Sequence, residues 1–310
     1  MKIILILILA ANAFACDEVS QTTTTAPSVK VVGEPTITVA ADPGSKIYGI
    51  TFDDPYKYKQ IVDSLTVIGR KVTARLVFDE NMAAKEYVTP AREIHKVAFV
   101  MGELLDSLYV KTLSVDQYKA RTTEYLKALN GSVDIWEIGN EANGDWLGSG
   151  IAVKFYESFK LVKAAKQKTA LTLYYNSTCI PKDKSFEMFA WAKKNIPADM
   201  KSGLDYVFIS YYEDDCPGAK PNWPTVFRQL AGLFPNSKIG FGEVGTKAKN
   251  KKEDAKAVTA RKTEYINRYY SMKISEPNYV GGYFWWYGSQ DFVPSTKPLL
   301  KVFNNAIQIN

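Results

Sequence analysis

Two short segments hold the residue types most able to do chemistry. In Val133–Gly148, VDIWEIGNEANGDWLG, an apolar run leads into Gly139, Asn140 and Glu141. In Lys238–Thr246, KIGFGEVGT, Glu243 stands between Gly242 and Gly245. Glycines beside a carboxylate let other groups approach it closely. Two carboxylates in unequal surroundings can divide proton donation and nucleophilic attack between them. Other common solutions are poorly supplied. The chain has a single histidine, His95, so a His-ligated metal centre or a Ser-His-Asp triad would have to be built around that one residue. It lies in Pro90–Lys96, PAREIHK, which reads as a helix leading into a strand, where a surface or packing role is expected. Acid–base work therefore falls to carboxylates, and no metal ligand set is assigned.

Positioning these residues requires a regular frame, and the sequence has one. Eight apolar runs of strand length are rich in β-branched and aromatic residues: Ile47–Phe52, Val72–Asp79, Val97–Glu103, Val133–Asn140, Ala170–Asn176, Tyr206–Tyr212, Lys238–Glu243 and Val280–Trp286. Between them run amphipathic stretches such as Val115–Leu129, Val153–Lys166, Phe186–Lys194 and Asp254–Ser271, and Pro298–Ile307 fits a final helix. The count of eight, with polar and aromatic residues gathered at the C-terminal ends of the runs, predicts an α/β fold of the (β/α)₈ TIM-barrel kind, a single domain over 45–310. The structural competitor is an open doubly wound sheet. No glycine-rich phosphate loop of either common kind occurs, which argues against a nucleotide enzyme. In the barrel reading Glu141 and Glu243 end the fourth and seventh strands, at the face where barrel enzymes keep their reactive groups.

At this point the sequence resembles clan A of the glycoside hydrolases, the retaining (β/α)₈ enzymes, through short motifs between about Lys46 and Pro298. The most specific is WEIGNE, Trp136 to Glu141. The resemblance implies that Glu141 is the acid/base, that Asn140 hydrogen-bonds a sugar 2-hydroxyl and that Glu243 is the nucleophile. It further implies that Arg75, in TARLVFD, keeps the nucleophile ionised and that Tyr212, closing FISYY, hydrogen-bonds it. An aromatic platform for the sugar ring is implied on the eighth strand, YFWWY, with Trp285 preferred over Trp286. Many clan members read Asn-Glu-Pro where this chain has Ala142. The implied activity is retaining, endo-type cleavage of a poly- or oligosaccharide without metal or organic cofactor. The rival reading is a glycan-binding surface lipoprotein that has lost catalysis.

Other residues have readings of their own. Glu137 is read as a barrel-interior partner of a cation such as Arg75. Trp146, Tyr211 and Trp223 either line a glycan cleft or simply pack. Asp79, Glu103 and Asp106 either bind hydroxyls or cap the following helices.

Charge and termini set the context. The formal charge of +6 is spread over 39 basic and 33 acidic residues without the clustered basic face of a nucleic-acid binder. The run Lys247, Lys249, Lys251 and Lys252 reads as a solvated loop. Residues 1–15 have the form of a signal peptide: Lys2, the apolar Ile3–Ala11, and Ala13-Phe14-Ala15 before Cys16. That apolar run is too short to span a bilayer, which takes about 20 residues. Cys16 resembles the acylated cysteine of a bacterial lipoprotein, with Ala13 where leucine is usual, so a lipid tether to the membrane is expected, with simple secretion as the alternative. Residues 16–44, including SQTTTTAPS, read as a flexible tether. Cys179 and Cys216 follow the fifth and sixth strands, on neighbouring loops of an exported chain, and are expected to form a disulfide. The carbohydrate is the expected partner, and a monomer the expected state.

Overall fold

The computed structural model describes residues 42–179 and 183–308. The expected signal peptide, Cys16 and nearly all of the expected tether lie outside these residues. Eight parallel strands close into a barrel in chain order. They are β1 (Ile47–Phe52), β2 (Thr73–Val77), β3 (Phe99–Glu103), β4 (Ile135–Gly139), β5 (Lys168–Tyr174), β6 (Tyr206–Tyr211), β7 (Lys238–Val244) and β8 (Tyr279–Trp285). The helices between them include α1 (Tyr58–Thr66), α2 (Val88–His95), α3 (Val115–Ala128), α4 (Ile151–Ala164), α5 (Met188–Asn195), α6 (Ala198–Gly203), α7 (Trp223–Leu233), α8 (Ala255–Tyr270), the short α9 (Gly288–Asp291) and α10 (Pro298–Gln308). All eight sequence-read strands are present, displaced by a few residues at most, and the doubly wound alternative falls with closure of the sheet.

Strands covered on both faces must be apolar both ways, which is why they read as near-continuous apolar runs. Their outward side chains meet the helices. Phe241 of β7, for example, packs edge-on against Trp223 and Phe227 of α7, with ring centroids 4.8 and 5.1 Å apart. Inward side chains fill the barrel floor with Ile47, Met101, Ile135, Ala170, Tyr206, Phe208, Val280 and Phe284. Helix ends are closed by their own residues. Ser114 and Gln117 form a reciprocal capping box at the start of α3, and Asp254 caps α8.

Two irregularities decide where the chemistry points. In β7 two residues, Gly242 and Glu243, oppose the single Ser210 of β6, a β-bulge. Phe241 faces outward, so strict alternation would send Glu243 outward as well; the bulge turns it back into the barrel. Gly242 lies so close to the floor that a Cβ there would sit 2.6 Å from Phe208 Cβ and 2.7 Å from Thr172 Oγ1. In β4 a second bulge sets Ile138 and Gly139 against Leu171 alone, and Asn140 then faces the mouth. Glu141 follows in the left-handed region, at φ 49°, a conformation uncommon for a residue with a side chain.

Candidate active site

Below the mouth lies a buried ionic layer centred on Arg75, whose side chain is fully inaccessible. Its Nε lies 2.6 Å from Glu137 Oε2, Nη1 2.9 Å from Glu243 Oε2 and Nη2 3.0 Å from Glu103 Oε2. The first two contacts are aligned hydrogen bonds. The third is close as a charge pair but poorly aligned, and neither oxygen of Glu103 has a hydrogen-bond partner among the described residues. Glu137 also accepts from Thr172 Oγ1. It thus fills the barrel-interior role read from the sequence. One guanidinium serving three carboxylates cannot neutralise them all. Burial raises the Glu103 carboxyl well above the ordinary carboxylate range, with Arg75 opposing and Glu137 adding to the rise. Arg75 itself does not reach the cavity; it is a support beneath it rather than a sugar contact.

Above this layer the two mouth carboxylates share a cavity of about 340 Å³. Glu243 accepts from Tyr212 Oη at 2.5 Å on Oε1, and on Oε2 from Arg75, with Asn140 Nδ2 at 3.5 Å. Glu141 accepts from Ser210 Oγ at 2.7 Å on Oε1 and from Ser107 Oγ at 2.9 Å on Oε2. Burial lifts Glu141 to about 7, against the pull of the two hydroxyls. It lifts Glu243 to about 8, where Arg75 pulls down, the Glu141 charge pushes up and Tyr212 pulls down. Tyr212 is held protonated by burial and by the facing Glu243 charge, and so stays a donor. Arg75 and Tyr212 both pull the Glu243 carboxyl down, as expected of them, but burial outweighs a hydroxyl and a cation already divided among three partners.

Of the residues singled out in the sequence, Asn140, Glu141, Trp146, Tyr212, Glu243 and Trp286 line this cavity. Trp285 does not, which corrects the preference stated for it. Its ring is fully buried outside the barrel and its Nε1 donates to Asp291 Oδ2 at 2.9 Å. Trp286 faces inward instead, with the Arg75 guanidinium 5.5 Å from its ring centre. The irregular register of β8 against β1 is what simple alternation could not supply. Tyr211 and Trp223 are packing residues, their rings edge-on at 4.9 Å. Asp79 accepts from Tyr87 Oη, whereas Asp106 both caps the next turn and reaches the cavity. His95 pairs with Asp134 at 3.1 Å, away from the site.

Several cavity residues escaped the sequence reading: Ser107, Leu108, Tyr174, Asp214 and Asp215, while Tyr287 joins them from the end of YFWWY. Only the Asp214-Asp215 pair just after FISYY had a signal, as acids following a strand end. The four lysines of the 247–252 run are exposed as expected, but Lys247 also reaches the cavity rim. Cys179 and Cys216 form a disulfide with Cα atoms 5.4 Å apart, joining the loops after β5 and β6. Among the described residues no helix is long and apolar enough to cross a membrane, and no group of three His, Cys, Asp or Glu side chains is arranged to hold a metal ion.

No protein-family model matches the chain, and no curated protein sequence does. Solved structures share its fold. The structure of ScGas2 in complex with compound 8 has a TM-score of 0.54 at 13% identity over 85% of this chain; the chain spans 64% of that protein's length. Saccharomyces cerevisiae Gas2p in complex with laminaritriose and laminaritetraose gives 0.51 at 12% identity, over 86% of this chain and 65% of that one. The family 1 β-glucosidase from Thermotoga maritima gives 0.55 at 8% identity, over 87% and 98%. What is common at such identities is the barrel, the fold that the clan resemblance implied.

Proposed function

We propose that this chain is a retaining glycoside hydrolase in which Glu243 attacks the anomeric carbon and Glu141 protonates the leaving oxygen, then activates the water that releases the sugar. The observation that carries this reading is the pair of mouth carboxylates in one cavity, each with a different set of donors. The Glu243 oxygen nearest Arg75 faces only N–H groups, from Arg75 and Asn140, and these cannot accept a proton. Both partners of Glu141 are hydroxyls, which can donate or accept. Ranked by pKa alone, about 8 against about 7, the last proton would stay on Glu243. The donor pattern favours Glu141 as its holder, because donors act on the individual oxygens. Asn140, whose Oδ1 is buried without a partner among the described residues, is assigned to a sugar hydroxyl, and Trp146 and Trp286 to the sugar rings.

β-Linked glucans are the first substrates to try, since Gas2p binds laminari-oligosaccharides and the Thermotoga enzyme is a β-glucosidase. Endo action fits a mouth open between loops that carry Leu108 and Trp146 on one side and Asp214, Asp215 and Lys247 on the other. Export, with a lipid on Cys16, completes the proposal. Turnover of aryl β-glycosides and laminarin with retained product configuration is expected. Glu243→Ala should be inactive and partly restored by azide with an inverted glycosyl azide as product. Activity should fall as pH rises through about 7, where Glu141 loses its proton. Full turnover in Glu243→Ala or Glu141→Ala would refute the assignment.

A further inference from the structure

The two hydroxyls that hold Glu141 differ in freedom. Ser210 Oγ, buried on β6 beside Glu243 in register, has no hydrogen bond besides the one to Glu141 Oε1 among the described residues. Ser107 Oγ is committed. Trp146 Nε1 donates to it at 3.1 Å, and an indole N–H can only donate. That takes one of its two lone pairs, and its single hydrogen is donated to Glu141 Oε2, 2.9 Å away. Oε2 is therefore an acceptor, and a proton on the carboxyl belongs on Oε1, where Ser210 can receive it.

We infer that Trp146 and Ser107 form a donor relay that fixes Oε1 as the proton-bearing oxygen of Glu141 and favours its ionised form, with Ser210 reversing its hydrogen bond at each proton transfer. The inference rests on the reading of Glu141 as acid/base. In the first half-reaction the Oε1 proton moves to the departing glycosidic oxygen as the C–O bond breaks, and Ser210 turns to donate to the bare carboxylate. In the second, the attacking water gives its proton back to Oε1, and Ser210 accepts again. Ser107 touches neither sugar nor reacting atom in this scheme and is a positioning residue. Donation by an indole also polarises the Ser107 O–H and strengthens the bond it makes.

The charged and titratable groups facing Glu141 are Arg75 from β2, Asp106 after β3, Tyr174 from β5, Tyr212 after β6 and Glu243 from β7. None is altered by substitutions in the relay. Carbon-13 NMR of protein labelled at the glutamate carboxyl carbons, with the Glu141 signal assigned by its loss in Glu141→Gln, reads the titration directly. Ser107→Ala should raise the Glu141 midpoint by about one pH unit, the worth of one hydrogen bond to a charged group. Trp146→Phe, which keeps a ring in place, should raise it by less, and Ser107→Thr should restore it. The alkaline limb of kcat/KM should move by the same amounts. An unmoved NMR midpoint in both Ser107→Ala and Trp146→Phe overturns the relay. A midpoint that moves while the kinetic limb stays fixed leaves the relay standing and removes Glu141 from the acid/base role.

Discussion

Replacing Arg75 by methionine keeps most of the side-chain stem and removes the cation that Glu103, Glu137 and Glu243 share. All three contacts lie between 2.6 and 3.0 Å, and Glu103 and Glu137 are closed to water, so solvent can reach only Glu243, from the cavity. Taking one partner from a buried ion pair costs about 3 to 5 kcal/mol, because an uncompensated charge stays behind. Protonation of the orphaned carboxyls limits the cost, so about 4 kcal/mol is expected at neutral pH. For a barrel of this size that lowers Tm by about 12 °C, at about 3 °C per kcal/mol. The sign of the pH dependence follows from proton counts. Arg75 holds the Glu103 and Glu243 carboxyls lower than burial alone would leave them, so its stabilisation is present at high pH. It is lost as pH falls and the buried Glu103 carboxyl, raised well above the ordinary range, takes up its proton. Urea unfolding followed by tryptophan fluorescence at pH 6 and pH 9 should show the larger deficit at pH 9. Arg75→Lys should recover only part of it, since one ammonium cannot match a planar fork aimed at three carboxylates. A deficit under about 1 kcal/mol, or one larger at pH 6, would refute the ionic-layer account.

Further outcomes separate neighbouring roles. Opening the Cys179–Cys216 bridge, which spans 37 residues, should cost about 4 kcal/mol by chain entropy. The Cys179→Ser/Cys216→Ser double variant should also raise KM more than it lowers kcat, because the bridged loop after β6 carries Asp214 and Asp215; an unchanged Tm would count against this. Trp286→Ala should raise KM about tenfold, or ~1.4 kcal/mol, with little loss of stability. Trp285→Ala should destabilise by about 3 to 5 kcal/mol while leaving the KM of the remaining folded enzyme near wild type; the opposite pattern would restore Trp285 to the site. Cys16→Ser should release the protein from membranes with activity intact, and wild-type protein free in the medium would argue for plain secretion.

The frame was legible in the sequence because strands covered on both faces show as unbroken apolar runs and closure needs only their number. Glu141, Asn140, Glu243 and Arg75 were legible because polar groups at the ends or in the middle of such runs stand out. What could not be read was direction. Alternation cannot tell Trp285 from Trp286 without the register, and bulges in β4 and β7, the irregular register of β8 and the left-handed turn at Glu141 each reset the count. Ser107 and Ser210 gave no signal at all, since a serine near a strand end is unremarkable until the fold brings it within 3 Å of a carboxylate.

The bulge at Gly242 makes the chemistry depend on chain length as much as on residue identity. A β7 that paired regularly, with Gly242 opposite Ser210, would leave a ladder able to close and every candidate side chain still encoded. In that register, however, Glu243 would swing out among the α7 and α8 aromatics, and Arg75 and Tyr212 would face an empty place. Inserting one residue between Phe241 and Glu243 should turn the glutamate outward in the same way, whereas deleting Gly242 would leave it opposite Ser210 and facing inward. A single-residue insertion ahead of Glu243 in β7 is thus as damaging as loss of the glutamate itself, whereas loops beyond the mouth can change length and leave the carboxylates where they are.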